Sequence, residues 1–257
     1  MIKKLRSITN KTAPVLLVAA LVLLWQLVCV LGLVPRYMLP SPVDVLAAFC
    51  RELPELMRHA GVSLREAFLG LGLGVSGAFI LAALMDSSRL AYRAVYPVLL
   101  LTQTIPTIAL APLLVLWMGY GIAPKVALIF LTCFFPVTIS LLDGFRSADA
   151  DAIVLLRSMG AKGRQIFWHI KLPYALPGFF SGLKVAVSYA IVGAVIAEWL
   201  GGDAGLGVYM TRVRKSYSFD RMFAVILLVS LLSVLLMQLT VFIQKKSMPW
   251  KQGEQVK

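Results

Sequence analysis

The sequence predicts an all-α, polytopic membrane protein with about six transmembrane helices, and three observations carry that prediction. Of its 257 residues, 60% are hydrophobic and 14% charged, whereas soluble domains carry about 25% charged residues. No soluble core hides that much apolar surface, and a disordered chain needs the opposite composition. The apolar residues fall in long charge-free windows, most of them near the roughly 20 residues that cross a hydrocarbon core. The charges between the windows are mostly basic, 25 Lys and Arg against 12 Asp and Glu, and alternate loops share them unequally.

The first window runs from Thr12 to Pro35. It exceeds the roughly 7–15 apolar residues of a signal peptide, so it reads as a retained helix. Leu39-Pro40-Ser41-Pro42-Val43-Asp44 comes next. Ser41 suits a helix cap, Pro42 its first position and Asp44 its positive end. This predicts a short amphipathic helix to about Arg58, lying on the membrane surface as a lid. The second span is Ala67 to Met85, where Gly70, Gly72, Gly74 and Gly77 offer a small-residue face for close packing. The third runs from about Ala94 to Leu116, with Gly119-Tyr120-Gly121 as the turn after it. The fourth is Val126 to Leu142. The fifth runs from about Leu176 to Trp199; Lys184 near its start reaches toward the headgroups, and Glu198 lies near its end. The sixth is Met222 to Gln244.

With the N-terminus inside, the inner segments hold Lys3, Lys4, Arg6 and Lys11; Arg89 and Arg93; Arg146, Arg157, Lys162, Arg164 and Lys171; and Lys245, Lys246, Lys251 and Lys257. The outer segments hold fewer, so both termini are expected in the cytoplasm. Trp117 and Trp199 then belong to the outer interface, Trp168 and Trp250 to the inner one. The net charge of +13 reads as cytoplasmic loops rather than a nucleic-acid surface. Cys29, Cys50 and Cys133 give no disulfide framework. His59 and His169 lack ligand partners at useful spacing, so no metal site is expected.

The inner segment from Asp143 to Ala175 is far longer than a tight turn needs. Leu155, Leu156 and Met159 share a helical face, and Gly160 can end that helix in the left-handed conformation. Ile166, Phe167 and Ile170 form a second apolar face, which Pro173 is expected to stop. Both helices are too short to span. Either they cover the inner face of the bundle, or they present a knob to a cytosolic partner.

Gly160, then nine residues, then Ile170-Lys171-Leu172-Pro173 resembles the cytoplasmic EAA signature of ABC importer permeases. Val154, Leu155 and Leu156 stand where that signature has Glu-Ala-Ala, which leaves Asp149 or Asp151 to take over its acidic contact. Leu39-Pro40-Ser41-Pro42, Gln103-Thr104-Ile105-Pro106, Ala109 to Leu113, Phe135-Pro136, Leu176-Pro177-Gly178, Ala197-Glu198-Trp199 and Gly205-Leu206-Gly207 are similar to the nitrate/sulfonate/taurine-type branch. Leu155 to Gly160, Gly193 to Gly202 and Asp220 to Ala224 look most like permeases for thiamine pyrimidine precursors or riboflavin.

The resemblance implies one transmembrane permease domain over 1–257, with its core about 61–244 and its coupling loop about 143–175. It implies a homodimer in a bacterial inner membrane, on ABC ATPase subunits, fed by an extracytoplasmic solute-binding protein. Sulfonate, taurine or nitrate is the alternative cargo; a secondary carrier or a membrane enzyme is a distant alternative. The chain has no Gly-x-x-x-x-Gly-Lys-Ser/Thr phosphate loop. ATP and Mg are therefore expected on the partner ATPase, and no catalytic residue or cofactor in this chain. Leu155, Leu156, Met159, Gly160, Lys162, Ile170, Leu172 and Pro173 are the expected ATPase-coupling residues. For the solute pathway the polar groups at membrane depth are Gln103, Thr104, Thr107, Ser188 and Tyr189, with Glu198 as a gating or pairing acid. Interhelical hydrogen bonding is the simpler use of such groups, and contact with headgroups or Arg212 the simpler fate of Glu198.

Overall fold

The structure, a computed structural model, describes residues 2–250, with side chains from residue 13 on. Lys3, Lys4, Arg6, Lys11, Lys251 and Lys257, on which part of the orientation argument rests, have side chains outside that description. The described chain is helical: α1 (Ile2–Val30), α2 (Pro42–Ser87), α3 (Arg89–Gln103), α4 (Thr107–Met118), α5 (Ile122–Arg146), α6 (Ala150–Ser158), α7 (Gly163–Ile166), α8 (Leu172–Glu198), α9 (Leu206–Lys215) and α10 (Phe219–Ser247). Five helical stretches, Ala13–Val30, α2, α5, Gly163–Glu198 and α10, are long and apolar enough to cross a membrane. The pair α3 and α4 counts as a sixth if it is one broken span, bent by 99°.

The single third helix expected from about Ala94 to Leu116 is thus two helices with a break between them. Pro106 has no N–H to donate, and a proline disfavours helical geometry in the residue before it, here Ile105. The chain leaves α3 at Thr104 and restarts beyond Pro106, whose ψ is 110°. A second correction concerns the surface lid. Its cap forms as predicted, with the Asp44 N–H donating to Ser41 Oγ at 3.2 Å and the Ser41 N–H to Asp44 Oδ2 at 3.2 Å. The helix it starts is not short: it continues unbroken to Ser87 over 46 residues. A third concerns Pro173. It does not end a helix but sits in the first turn of α8. A wide π-helical turn at Phe167–Lys171 joins α7 to α8, and such local adjustments absorb a missing donor. Starting α8 at Leu172 rather than Leu176 puts Lys184 near the middle of the span, not near its start.

By density of contacts the chain divides into two compact units. One comprises residues 1–58 and 209–228. Within it Trp25 packs on Phe223 at 5.7 Å between ring centres. Glu52 pairs with Arg221 at 3.2 Å and accepts from the Tyr209 hydroxyl at 3.2 Å. Burial, then the neighbouring Glu52 charge, push the Tyr209 phenol up to about 12.

The other unit comprises residues 59–208 and 229–257. Its centre is the pair α5 and α8, packed through Ala175, Ala186, Ala190 and Ala194 against Ile129, Cys133, Val137 and Leu141. Lipid tails are as apolar as leucine, so helices here associate through close backbone approach at small residues. A Cβ on Gly182 would stand 2.8 Å from the Pro136 carbonyl oxygen. On α2, a Cβ on Gly74 would meet Cys133 at 3.1 Å and one on Gly77 the Phe130 ring at 3.2 Å. Gly70, Gly74 and Gly77 share this face, whereas Gly72 has nothing within 4 Å. The expected four-glycine face is thus a three-glycine face, because positions two apart point to different sides of a helix. Trp168 and Trp199 flank α8 and are both about half exposed. At 1.5 Å per residue they stand ~45 Å apart along the axis, the depth of a bilayer with its headgroup regions.

Candidate functional site

The break between α3 and α4 sets Gln103 on the last residue of one helix and Thr107 on the first of the next. Both face an open cavity of about 570 Å³ whose other walls are α5 and α8. Thr132 and Ser140 come from α5, Ser181 and Tyr189 from α8, with Phe135 and Val185 as apolar wall. No charged side chain lines it. Gln103, Thr107 and Tyr189 are therefore brought together. Thr104 and Ser188 lie outside the cavity and turn their hydroxyls onto their own helices, donating to Leu101 O at 2.7 Å and Lys184 O at 3.1 Å.

The residues expected to couple to an ATPase separate into two groups. Leu155 and Met159 are 62% and 76% exposed, and nothing on α6 is buried. Gly160 takes φ +84°. Its N–H donates to Arg157 O at 2.9 Å and the next N–H, of Ala161, to Leu156 O at 3.0 Å. This left-handed stop satisfies the helix end without a partner. Lys162 is exposed and Leu156 half-buried. Ile170, by contrast, is buried, and Leu172 packs against the α5–α8 core. Pro173 borders a second cavity beside Tyr174 and Trp250. Of the two acids near α6, Asp149 is its N-cap, accepting from the Asp151 N–H at 2.9 Å.

Glu198 is 1% exposed, so its carboxylate is buried rather than at a headgroup surface. Its Oε1 accepts from Ser63 Oγ at 2.6 Å and its Oε2 from the Gly207 N–H at 2.6 Å. Ser63 Oγ in turn accepts from the Leu206 N–H at 2.8 Å, and His59 Nδ1 accepts from the Gly205 N–H at 2.9 Å. Three successive backbone donors, Gly205 to Gly207, are thus each held by a buried side chain. A Cβ on Gly205 would run into the Glu198 carboxylate, and one on Gly207 into the Val195 carbonyl oxygen. Nearby on α2, Glu66 Oε1 accepts from Lys125 Nζ at 2.7 Å, with side chains 4% and 8% exposed. Sequence reasoning assigned no role to Ser63, Glu66 or Lys125 and weighed His59 only as a metal ligand. A signal was present: His59, Ser63 and Glu66 recur at helical spacing, a polar stripe on one face of α2.

Membrane-length helices, a broken span and an uncharged polar cavity at the break fit a membrane transport protein. Residues 70–248 match the family described as binding-protein-dependent transport system inner membrane component, so the chain belongs to that family and is an ABC importer permease. It is 39% identical to a probable ABC transporter permease protein of Haemophilus influenzae, over 87% of this chain and 91% of that one. It is 36% identical to the formylaminopyrimidine transport permease protein ThiX of Halalkalibacterium halodurans, over 94% and 96%. It is 30% identical to the putative aliphatic sulfonates transport permease protein SsuC of Bacillus subtilis, over 92% and 86%. Among solved structures, an inward-facing MetNI methionine ABC transporter matches its fold at TM-score 0.64, with 19% identity over 77% of this chain and 97% of that one.

Proposed function

We propose that the chain works as one permease domain, paired with a second copy, and moves a small neutral heteroaromatic solute of the pyrimidine-precursor kind into the cytoplasm. A solute-binding protein delivers the solute. ATP and Mg are bound by separate ATPase subunits, and both termini of the permease lie in the cytoplasm. Leu155, Leu156, Met159, Gly160 and Lys162 fit a cleft on the ATPase, while Ile170, Leu172 and Pro173 root that turn in the bundle. Closure of the ATPase pair then rocks the bundles between inward and outward states. The observation that carries the cargo class is the cavity at the α3–α4 break. Its lining offers amide, hydroxyl and phenol groups and no charge, which suits a neutral ring with several donors and acceptors. Gln103 supplies two donors and an acceptor, and Tyr189 a ring face. Thr104, Ser188 and Glu198 shape the pathway through the helices that carry the cavity.

Lys184 favours a second reading. It lies half-buried at the middle of α8, and a cation at that depth is a default site for an anion such as a sulfonate. Uptake into vesicles holding the permease, its ATPase and its binding protein separates the two. In the first reading Gln103→Ala slows uptake of a formylaminopyrimidine about tenfold, and Lys184→Gln leaves it unchanged. Uptake that is insensitive to Gln103 and lost with Lys184 would establish the second.

A further inference from the structure

Arg89, Arg93 and Arg146 border a cavity of about 300 Å³ between the start of α3 and the end of α5, floored by Met85 and Leu142. Asp86 is the one acid in its wall, and both its oxygens are taken by Lys171 Nζ at 2.8 Å. Among the described residues no carboxylate pairs with any of the three arginines. Arg146 is held in place by its guanidinium lying 4.2 Å from the centre of the Tyr92 ring, which itself stacks on Tyr96 at 4.9 Å. The amino end of α3 adds its own positive potential there. Three uncompensated guanidiniums around one cavity select an anion, and arginine forks match phosphate oxygens two at a time.

The outer surface of α3 narrows the choice of anion. Leu90, Ala94, Val98 and Leu101 recur at helical spacing and are exposed, Leu90 to 79% and Leu101 to 68%. An occupant that satisfies both features is anionic at one end and apolar along the rest. An acidic protein surface would answer the arginines and leave this stripe bare. We propose that this cavity binds the phosphate headgroup of an anionic phospholipid, whose acyl chains lie along Leu90, Ala94, Val98 and Leu101. Basic pockets between transmembrane helices on the positive side of a membrane protein bind such headgroups. The site belongs to the same basic end as Arg157, Arg164 and Lys171, which places it at the inner leaflet.

The test uses the full-length chain purified from membranes, exchanged into a zwitterionic detergent with phosphatidylcholine, and titrated with phosphatidylglycerol. Bound lipid is counted by native mass spectrometry. Wild type retains phosphatidylglycerol in preference to phosphatidylcholine. Arg93→Gln and Arg146→Gln each weaken retention about fivefold, the effect of one basic residue beside an anionic leaflet, and the pair about 25-fold. Arg146→Lys keeps part of the affinity, and Arg157→Gln, outside the cavity, keeps all of it. All three arginines are exposed, and an unchanged elution profile confirms that the variants fold. Equal retention of both lipids, or undiminished phosphatidylglycerol binding in the double variant, overturns the proposal. So does displacement of the lipid by millimolar inorganic phosphate, which would make the site one for a free anion. Loss of the ATPase subunit from the assembled complex, with lipid binding intact, would assign the arginines to a protein contact instead.

Discussion

At the end of α8 that carries Glu198, five ionisable or hydroxyl-bearing side chains, His59, Ser63, Glu66, Lys125 and Glu198, are each no more than 6% exposed, and each has a partner within the chain. At the end near Pro173, Leu155 and Met159 stand 62% and 76% exposed on a helix with nothing buried. The first region makes most of its hydrogen bonds within itself and pairs Lys125 with Glu66. The second satisfies its backbone, through the Gly160 stop, and leaves its apolar side chains uncovered. Burying polar groups without partners is costly in a low dielectric, so the first region has to be complete in the isolated chain. Apolar groups left in water ask instead for a partner that covers them. The buried polar network and the uncovered apolar turn thereby lie toward opposite ends of α8.

Substitutions at both ends probe this contrast, beginning with the largest expected effect on stability. Lys125→Met strands the Glu66 carboxylate in a buried site, and the thermal midpoint of the purified chain should fall by the equivalent of ~4 kcal/mol. The double change Lys125→Met with Glu66→Met should recover most of that loss, because it removes both charges. Glu198→Ala leaves the Gly207 N–H without an acceptor and the Ser63 hydroxyl with only the His59 carbonyl oxygen at 3.3 Å, and should destabilise by ~2 kcal/mol. Glu198→Gln keeps an acceptor and should cost about half as much. If Glu198→Ala melts like wild type, the loop at Gly205 to Gly207 is held by something else. Leu155→Ala with Met159→Ala should shift stability by no more than ~0.5 kcal/mol, since neither side chain is buried. The same double variant should nonetheless uncouple ATP hydrolysis from uptake in reconstituted vesicles. Gly160→Asp should abolish transport while the protein stays in the membrane, because a side chain at φ +84° strains the turn. A large stability loss in the Leu155 and Met159 variant would erase the distinction between the two ends.

Much of this was readable beforehand, and unevenly so. The Ser41 cap and the left-handed Gly160 depend on residues within a few positions of one another, and both appear as the local pattern predicts. The membrane windows also appear, since hydropathy is summed residue by residue. Pro106 is a local source of bending, but whether the helix kinks or breaks through 99° depends on what packs around Thr104 and Thr107. Pro173 misled for a related reason: the same missing N–H that stops one helix is harmless in the first turn of the next. Of the pathway residues, Gln103, Thr107 and Tyr189 meet at one cavity, while the Ser188 hydroxyl returns to its own backbone. A helical wheel drawn for one segment does not say which of its faces meets another.

Transfer of a side chain from water to lipid is a property of that residue. For this reason hydropathy and loop charge alone establish a membrane-spanning helical chain, and motif spacing its kinship with importer permeases. The network around Glu198 is different in kind. Ser63 and Glu198 are 135 positions apart, and nothing local couples them. Their hydrogen bond exists because small residues let α2, α5 and α8 approach closely enough to leave no room for water, so that groups such as these find their partners in the fold.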